Sequence, residues 1–248
     1  MDLQIIGRIF LICSVYLVLF SIAFIYYEKK EYYKYIIITS IFLTILFFFI
    51  RAYLKEFFPF TDKLESFSIL FLFLSFYSLY YFKKLQKKEI ILILFLSFFS
   101  GSTVFIFEDK INYPPPYLRT IWYPLHVPIS FLAYTFWFIA GIKSIFSNSQ
   151  IKENSIFINK LNKNAYILFT FSMIFGGIWG YLAWGAYFLW DPKLVWSLIL
   201  WFFYGNLLHI DMIKTFKPYK RYFYIIGILL ILITFIGTGF FSRSIHKF

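Results

Sequence analysis

The chain has 248 residues, of which 61% are hydrophobic, 26% aromatic and only 15% charged. Soluble domains carry about 45–50% apolar and about 25% charged residues, so this composition excludes a soluble core and requires long uncharged runs facing lipid. The formal charge of +12 lies in short loops between those runs, the bias that orients membrane helices, and forms no basic groove. No nucleic-acid partner is expected.

A helix crosses a hydrocarbon core of about 30 Å with about 20 residues. Eight apolar runs meet that length, near 4–27, 34–53, 66–82, 89–107, 121–147, 164–182, 193–213 and 221–241. The first lacks the basic start and small-residue cleavage site of a signal peptide, so it reads as a true span. Cys13, the only cysteine, falls inside it and is expected as a buried small hydrophobe. A single cysteine makes no internal disulfide and no CxxC pair, and the chain has no CxxCH haem-attachment motif.

Lysines crowd the loops 28–34, 83–89, 141–163 and 214–221, which places those loops in the cytoplasm. Basic residues of the opposite side stand mostly beside acids, as in Lys55–Glu56, Asp62–Lys63 and Asp109–Lys110. The outer loops are then 54–65, 108–120 and 183–192, and Pro114-Pro115-Pro116 stiffens the second of them. The expected fold is all-α, a polytopic transmembrane helix bundle of about eight spans with both termini on the outer side. It forms a single integral membrane domain over 1–248, with no internal repeat and lipid as its surroundings.

The chain has three histidines, His126, His209 and His246, as candidate metal ligands. Neutral imidazole is a haem axial ligand. His126 opens the fifth span and His246 follows the last, so the topology puts both at the outer face, where an interfacial polar anchor is the alternative for each. His209 lies sixteen residues past Lys193, about 24 Å further along a helix, near the cytoplasmic end of the seventh span. An ionisable group there is a functional candidate; a histidine bonded to a neighbouring helix, or reaching the headgroups near Asn206 and Asp211, is the alternative.

Residues 177–196 read GIWGYLAWGAYFLWDPKLVW. Trp179, Trp184, Trp190 and Trp196, with Tyr181 and Tyr187, crowd one helix–loop–helix junction, and Gly180 and Gly185 allow tight turns. An interfacial aromatic belt accounts for two or three such rings; a flat apolar ligand accounts for the density, because rings pack on a porphyrin face. Asp191 suits the N-cap of the seventh helix with Pro192 at its first position. Lys193, Arg119 and Arg243 are candidates for pairing with propionates, with snorkelling as the alternative.

This run, followed by His209, resembles the tryptophan-rich "WWD" signature of haem-handling proteins, most closely the CcsA (also ResC) family of cytochrome c biogenesis. The matching elements are Gly177-Ile178-Trp179, Ala183-Trp184-Gly185-Ala186-Tyr187, Trp190-Asp191-Pro192-Lys193, Trp196 and Leu208-His209. The resemblance covers 120–246, whereas 1–110 match only as apolar spans. It implies a variable N-terminal set of spans (1–119) and a haem-handling core (120–248). It implies that His126 and His246 hold haem iron over the loop formed by Trp179, Trp184, Tyr187, Trp190, Asp191 and Trp196. His209 would bind haem on its way outward, with a histidine of a CcsB (ResB) partner. The ligand is haem b as transported substrate, destined for the CxxCH of an apocytochrome c at the outer side of a bacterial inner membrane or its equivalent. The chain would be a subunit of a cytochrome c synthase (haem lyase) complex.

Phe188 stands where the family usually has tryptophan and Leu194 where it usually has an acid, and Arg243-Ser244-Ile245-His246 departs from the usual Gly-Leu-His-Ser-Tyr. The related CcmC branch, a haem export and transfer alternative, lacks a counterpart of His209. A bis-histidine b-type electron-transfer cytochrome needs ligand pairs facing one another inside the bundle, which three histidines supply poorly. A transporter of another substrate would show a broken-helix pair or a repeat.

Overall fold

A computed structural model describes residues 2–146 and 152–238. All regular structure among them is helical. The helices are α1 (Leu3–Tyr26), α2 (Lys30–Lys55), α3 (Lys63–Tyr80), α4 (Lys87–Gly101), α5 (Trp122–Phe146), α6 (Lys152–Trp184), α7 (Pro192–Leu207) and α8 (Lys220–Leu232). Short 3-10 turns follow α4 and α7 and precede α5 and α8, and a π-helical turn, Ile233–Gly237, continues α8. Seven of these segments are long and apolar enough to cross a membrane; α3, with 18 residues, forms where the third run was expected but falls outside that set. The chain is an integral membrane protein.

It divides into two compact units, residues 1–120 and 121–248. In the first, each helix runs antiparallel to the next. Gly7 near the start of α1 meets Ile50 near the end of α2, Tyr33 of α2 bonds Ser78 of α3 at 3.0 Å, and Ser75 of α3 bonds Ser97 of α4 at 2.7 Å. Gly101 closes the circuit by packing on Val15 of α1. Small residues line these seams (Ser14, Ser40, Ser75 and Ser97 are all fully buried), as expected where helix association in lipid depends on close packing and interhelical hydrogen bonds.

One end of this unit holds a buried ion network. Arg51 and Lys55 lie on one face of α2, at most 2% exposed. Asp62 and Glu65 form a capping box at the start of α3. Arg51 reaches Glu65 at 2.8 Å and also pairs with Asp62 and Asp109, while Lys55 pairs with Asp62 at 2.7 Å and Glu65 at 2.6 Å. Burial pushes the Asp109 carboxyl up, against the pull of Arg51. At Asp62 burial acts the same way, but the charges of Lys55 and Arg51 outweigh it and hold the carboxyl below its ordinary range. The pairs are therefore not the sequence neighbours: Lys110 pairs with exposed Glu108, not Asp109.

The second unit is likewise an up-and-down arrangement of four antiparallel helices. Trp137 of α5 donates to Asn162 of α6 at 2.8 Å, Trp201 of α7 donates to Thr170 of α6 at 2.8 Å, Thr234 beyond α8 reaches the Trp196 carbonyl of α7, and Phe235 packs on Phe131 of α5.

Two expectations are corrected. Cys13 is exposed: Leu11, Ser14, Val15 and Val18 define the buried stripe of α1, and position 13 falls off it. The expected loop 141–163 is shorter, because α6 begins at Lys152. Its first turns are too polar for a hydropathy window, yet Phe157, Ile158, Leu161 and Ala165 are buried at helical spacing.

Candidate haem-handling site

Helix α6 ends at Trp184, and the chain turns at Gly185, whose φ of +74° belongs to the region only glycine enters readily. Its amide bonds back to the Tyr181 carbonyl at 2.8 Å. The segment 186–191 then folds against α6. A Cβ at Gly177 would lie 3.4 Å from the Tyr187 carbonyl, and one at Gly180 would lie 3.3 Å from the Ala186 carbonyl. Gly180 thus sits inside the helix and admits the loop backbone; the turn itself belongs to Gly185. Asp191 ends the loop as N-cap of α7, accepting from the Lys193 amide at 3.0 Å with Pro192 at the first helical position.

The aromatic residues divide by exposure. Trp179 is 1% exposed and packs on Tyr123 of α5 and on Trp184, so it belongs to the core beneath the loop. Trp184 and Trp196 are partly buried. Tyr187 is exposed and stacks on Tyr181 at 4.5 Å. Trp190 is 86% exposed and meets Phe188 edge-on. Phe188 therefore occupies the edge of an open aromatic surface.

His126 lies on the fifth residue of α5 and is partly buried against α6. Its Nδ1 lies 2.7 Å from the Ser172 carbonyl. A carbonyl only accepts, so Nδ1 carries the proton and Nε2 keeps its lone pair, the arrangement a metal-ligating histidine requires. The Ser172 hydroxyl donates to the His126 carbonyl at 2.9 Å, and Ser130 one turn along α5 donates to the same carbonyl at 3.0 Å. Gly176 makes the room: a Cβ there would lie 2.7 Å from His126 Nδ1 and 2.8 Å from Cε1. The histidine ring and the Tyr187 carbonyl thus rest on consecutive residues of α6, Gly176 and Gly177. The fold seats His126 and the backbone of the aromatic loop on neighbouring residues of α6.

His209 lies just beyond the opposite end of α7 and is exposed. Its Nδ1 donates to the Gly205 carbonyl at 3.1 Å. The turn after it is anchored by Lys220 of α8. That buried ammonium donates to Asp211 at 2.6 Å and to Asn159 of α6 at 2.8 Å, and the Asn159 amide donates to Asp211 at 2.6 Å. Arg119 donates from Nε to the Pro114 carbonyl at 2.9 Å. His246 and Arg243 lie outside the described residues.

Sequence reading did not single out Ser172, Gly176, Asn159 or Lys220. A Gly176-Gly177 pair inside a span was the available signal for close approach on that face of α6. The partners of Lys220 come from two separate stretches, α6 and the turn after α7, and left no local trace.

The model of the family described as Cytochrome C assembly protein matches residues 3–246. A cytochrome c biogenesis protein CcsA of Prochlorococcus marinus is 34% identical over 84 residues, which make up 34% of this chain and 27% of that protein. CcsA of Guillardia theta is 25% identical over 185 residues, 60% of this chain and 62% of the relative. Protein NrfI of Wolinella succinogenes is 26% identical over 177 residues, 61% of this chain and 18% of the relative. The matches span 27% to 55% of the length of the first CcsA relatives. Among solved structures, the cytochrome c haem lyase CcmF has the same fold, with a TM-score of 0.75 at 15% identity over 98% of this chain and 48% of that one.

Proposed function

The chain belongs to the cytochrome c assembly protein family, and on that premise we propose that it binds haem b as a substrate and presents it at the outer face of a bacterial cytoplasmic membrane, or its equivalent, to apocytochrome c. The observation that carries this reading is the meeting of His126 and the aromatic loop on Gly176 and Gly177 of α6. The imidazole offers Nε2 to iron, with its tautomer and rotation fixed by Ser172. Beside it, Tyr187, Phe188 and Trp190 give the exposed ring surface on which a porphyrin face packs. His246 is the second axial ligand in this reading.

Haem arrives from the lysine-rich side past His209. That imidazole is exposed at the end of α7, where the histidine of a CcsB-type partner completes the coordination. The reactive groups, vinyls and thiols, belong to haem and to the CxxCH segment. The chain contributes position: it holds the ring at a fixed place and orientation while the thiols approach.

The test is an absorption spectrum with a pyridine haemochrome assay on the protein purified alone and with a CcsB-type partner, for the wild type and for His126→Ala, His209→Ala and His246→Ala. The expected result is co-purified haem b with a low-spin bis-histidine spectrum that is lost or converted in the outer variants. Haem-free wild type in the presence of the partner, or three variants indistinguishable from wild type, refutes the assignment.

A further inference from the structure

Four side chains in the second unit carry a buried polar atom with no hydrogen-bond partner among the described residues: the Ser144 hydroxyl, Asn162 Nδ2, the Tyr204 hydroxyl and the Tyr224 hydroxyl. Each residue is at most 1% exposed, and each comes from a different helix of the four, α5 to α8.

Packing links them through shared neighbours. Trp137 of α5 stacks on the Tyr204 ring with centroids 3.9 Å apart and planes 9° from parallel, and its Nε1 donates to Asn162 Oδ1. One indole therefore touches both Tyr204 and Asn162. A Cβ at Gly227 of α8 would lie 2.5 Å from the Tyr204 hydroxyl oxygen, so that oxygen is aimed at α8 beside Gly227. Tyr224 precedes Gly227 by three residues and faces the same way. Gly141 of α5 abuts Ile228 and the Tyr224 carbonyl, and Ser144 is three residues further along that face of α5.

Lipid-facing bundles satisfy their buried polar groups internally, because the hydrocarbon supplies no partner. A ligand that satisfied these atoms would accept from Asn162 Nδ2 and exchange bonds with three hydroxyls that both donate and accept. It must be small, and none of the four groups carries a charge to hold an ion. Water meets these conditions, binding internally where two to four polar groups converge. The polar groups also continue toward the end of the bundle. Lys220 lies one turn from Tyr224 on α8, Asn159 one turn from Asn162 on α6, and the Asp211 carboxylate they share is 26% exposed. That column of polar groups runs from the bundle end toward the Trp137–Tyr204 stack.

We propose that the α5–α8 interior around Ser144, Asn162, Tyr204 and Tyr224 is a built water site, reached past the Asp211–Lys220 pair. The site does not depend on the haem reading.

The experiment is hydroxyl-radical footprinting with isotopically labelled water on the full chain in lipid nanodiscs, read residue by residue by mass spectrometry. Bound water makes Tyr204 and Tyr224 oxidise several-fold faster than Phe169, a buried aromatic of the same unit that is 2% exposed. A second measurement is the melting temperature of the Tyr204→Phe and Tyr224→Phe variants, which keep the ring and the packing. Hydroxyls bonded to water give a fall of about 2–4 °C each. Tyrosines oxidised no faster than Phe169, or variants that melt at or above the wild-type temperature, overturn the proposal.

Discussion

Gly176→Ala adds one methyl group at the point where His126 rests on α6. The new Cβ would lie 2.7 Å from Nδ1, 2.8 Å from Cε1 and 3.3 Å from Cγ, whereas ordinary contact begins at 3.4 Å. The ring must therefore retreat by about 0.7 Å, and it is tethered to the same helix through the 2.7 Å bond to the Ser172 carbonyl. Overpacking of this kind costs about 1–3 kcal/mol, and a stretched hydrogen bond adds about 0.5–1.5 kcal/mol. A total of about 2–4 kcal/mol against the ligating rotamer lowers its population by about 30-fold or more, since 1.4 kcal/mol is a factor of ten. The assay is haem content and the low-spin Soret spectrum of the purified variant, with and without added imidazole. Loss of the low-spin spectrum in Gly176→Ala, restored by free imidazole, is the expected result. Gly177→Ala is the control one residue away: its Cβ meets only the Tyr187 carbonyl at 3.4 Å, and it should keep the wild-type spectrum. If wild type carries haem and Gly176→Ala is spectrally identical to it, the placement of His126 by α6 is wrong.

Three further outcomes follow from the geometry. Arg51→Met leaves Asp62, Glu65 and Asp109 without their shared guanidinium and should cost about 3–5 kcal/mol, read as early thermal aggregation in detergent, while Lys110→Met at an exposed pair should stay within about 0.5 kcal/mol of wild type. Trp179→Ala empties a core position and should destabilise by about 3–5 kcal/mol; Trp190→Ala, at 86% exposure, should leave the melting temperature unchanged yet reduce retained haem, and equal melting losses would show that the two rings do not differ as described. Lys220→Met removes the clamp on Asp211 and Asn159, and hydrogen exchange should quicken across residues 208–213 while Lys220→Arg restores part of the protection; unchanged exchange would show that the clamp does not hold the turn.

Hydropathy and turn chemistry are properties of consecutive residues, and what depends on them was legible in the sequence. The membrane class, the eight helices of the described residues and the Asp191-Pro192 start of α7 belong here, as does the density of aromatic residues at 177–196. Helix starts agree within a few residues except at α6, whose polar first turns show their burial only as a helical stripe, whereas α4, α7 and α8 stop being α-helical six to nine residues before the apolar runs end. What depends on rotation about a helix axis, and on which helix lies opposite, was not legible. The exposure of Cys13, the pairing of Arg51 with three acids from two later segments, and the Lys220 clamp all belong to this group. The same holds at the site. Three histidines and a tryptophan-rich loop could be named from their types and spacing. That His126 Nδ1 donates to the Ser172 carbonyl, and that Gly176 and Gly177 make room for the ring and for the loop backbone on neighbouring residues of α6, follow from how α5 and α6 pack. The contacts of His126 with Ser172 and Gly176, 46 and 50 positions away, leave no periodic signal along the chain, so only the tertiary structure decided them.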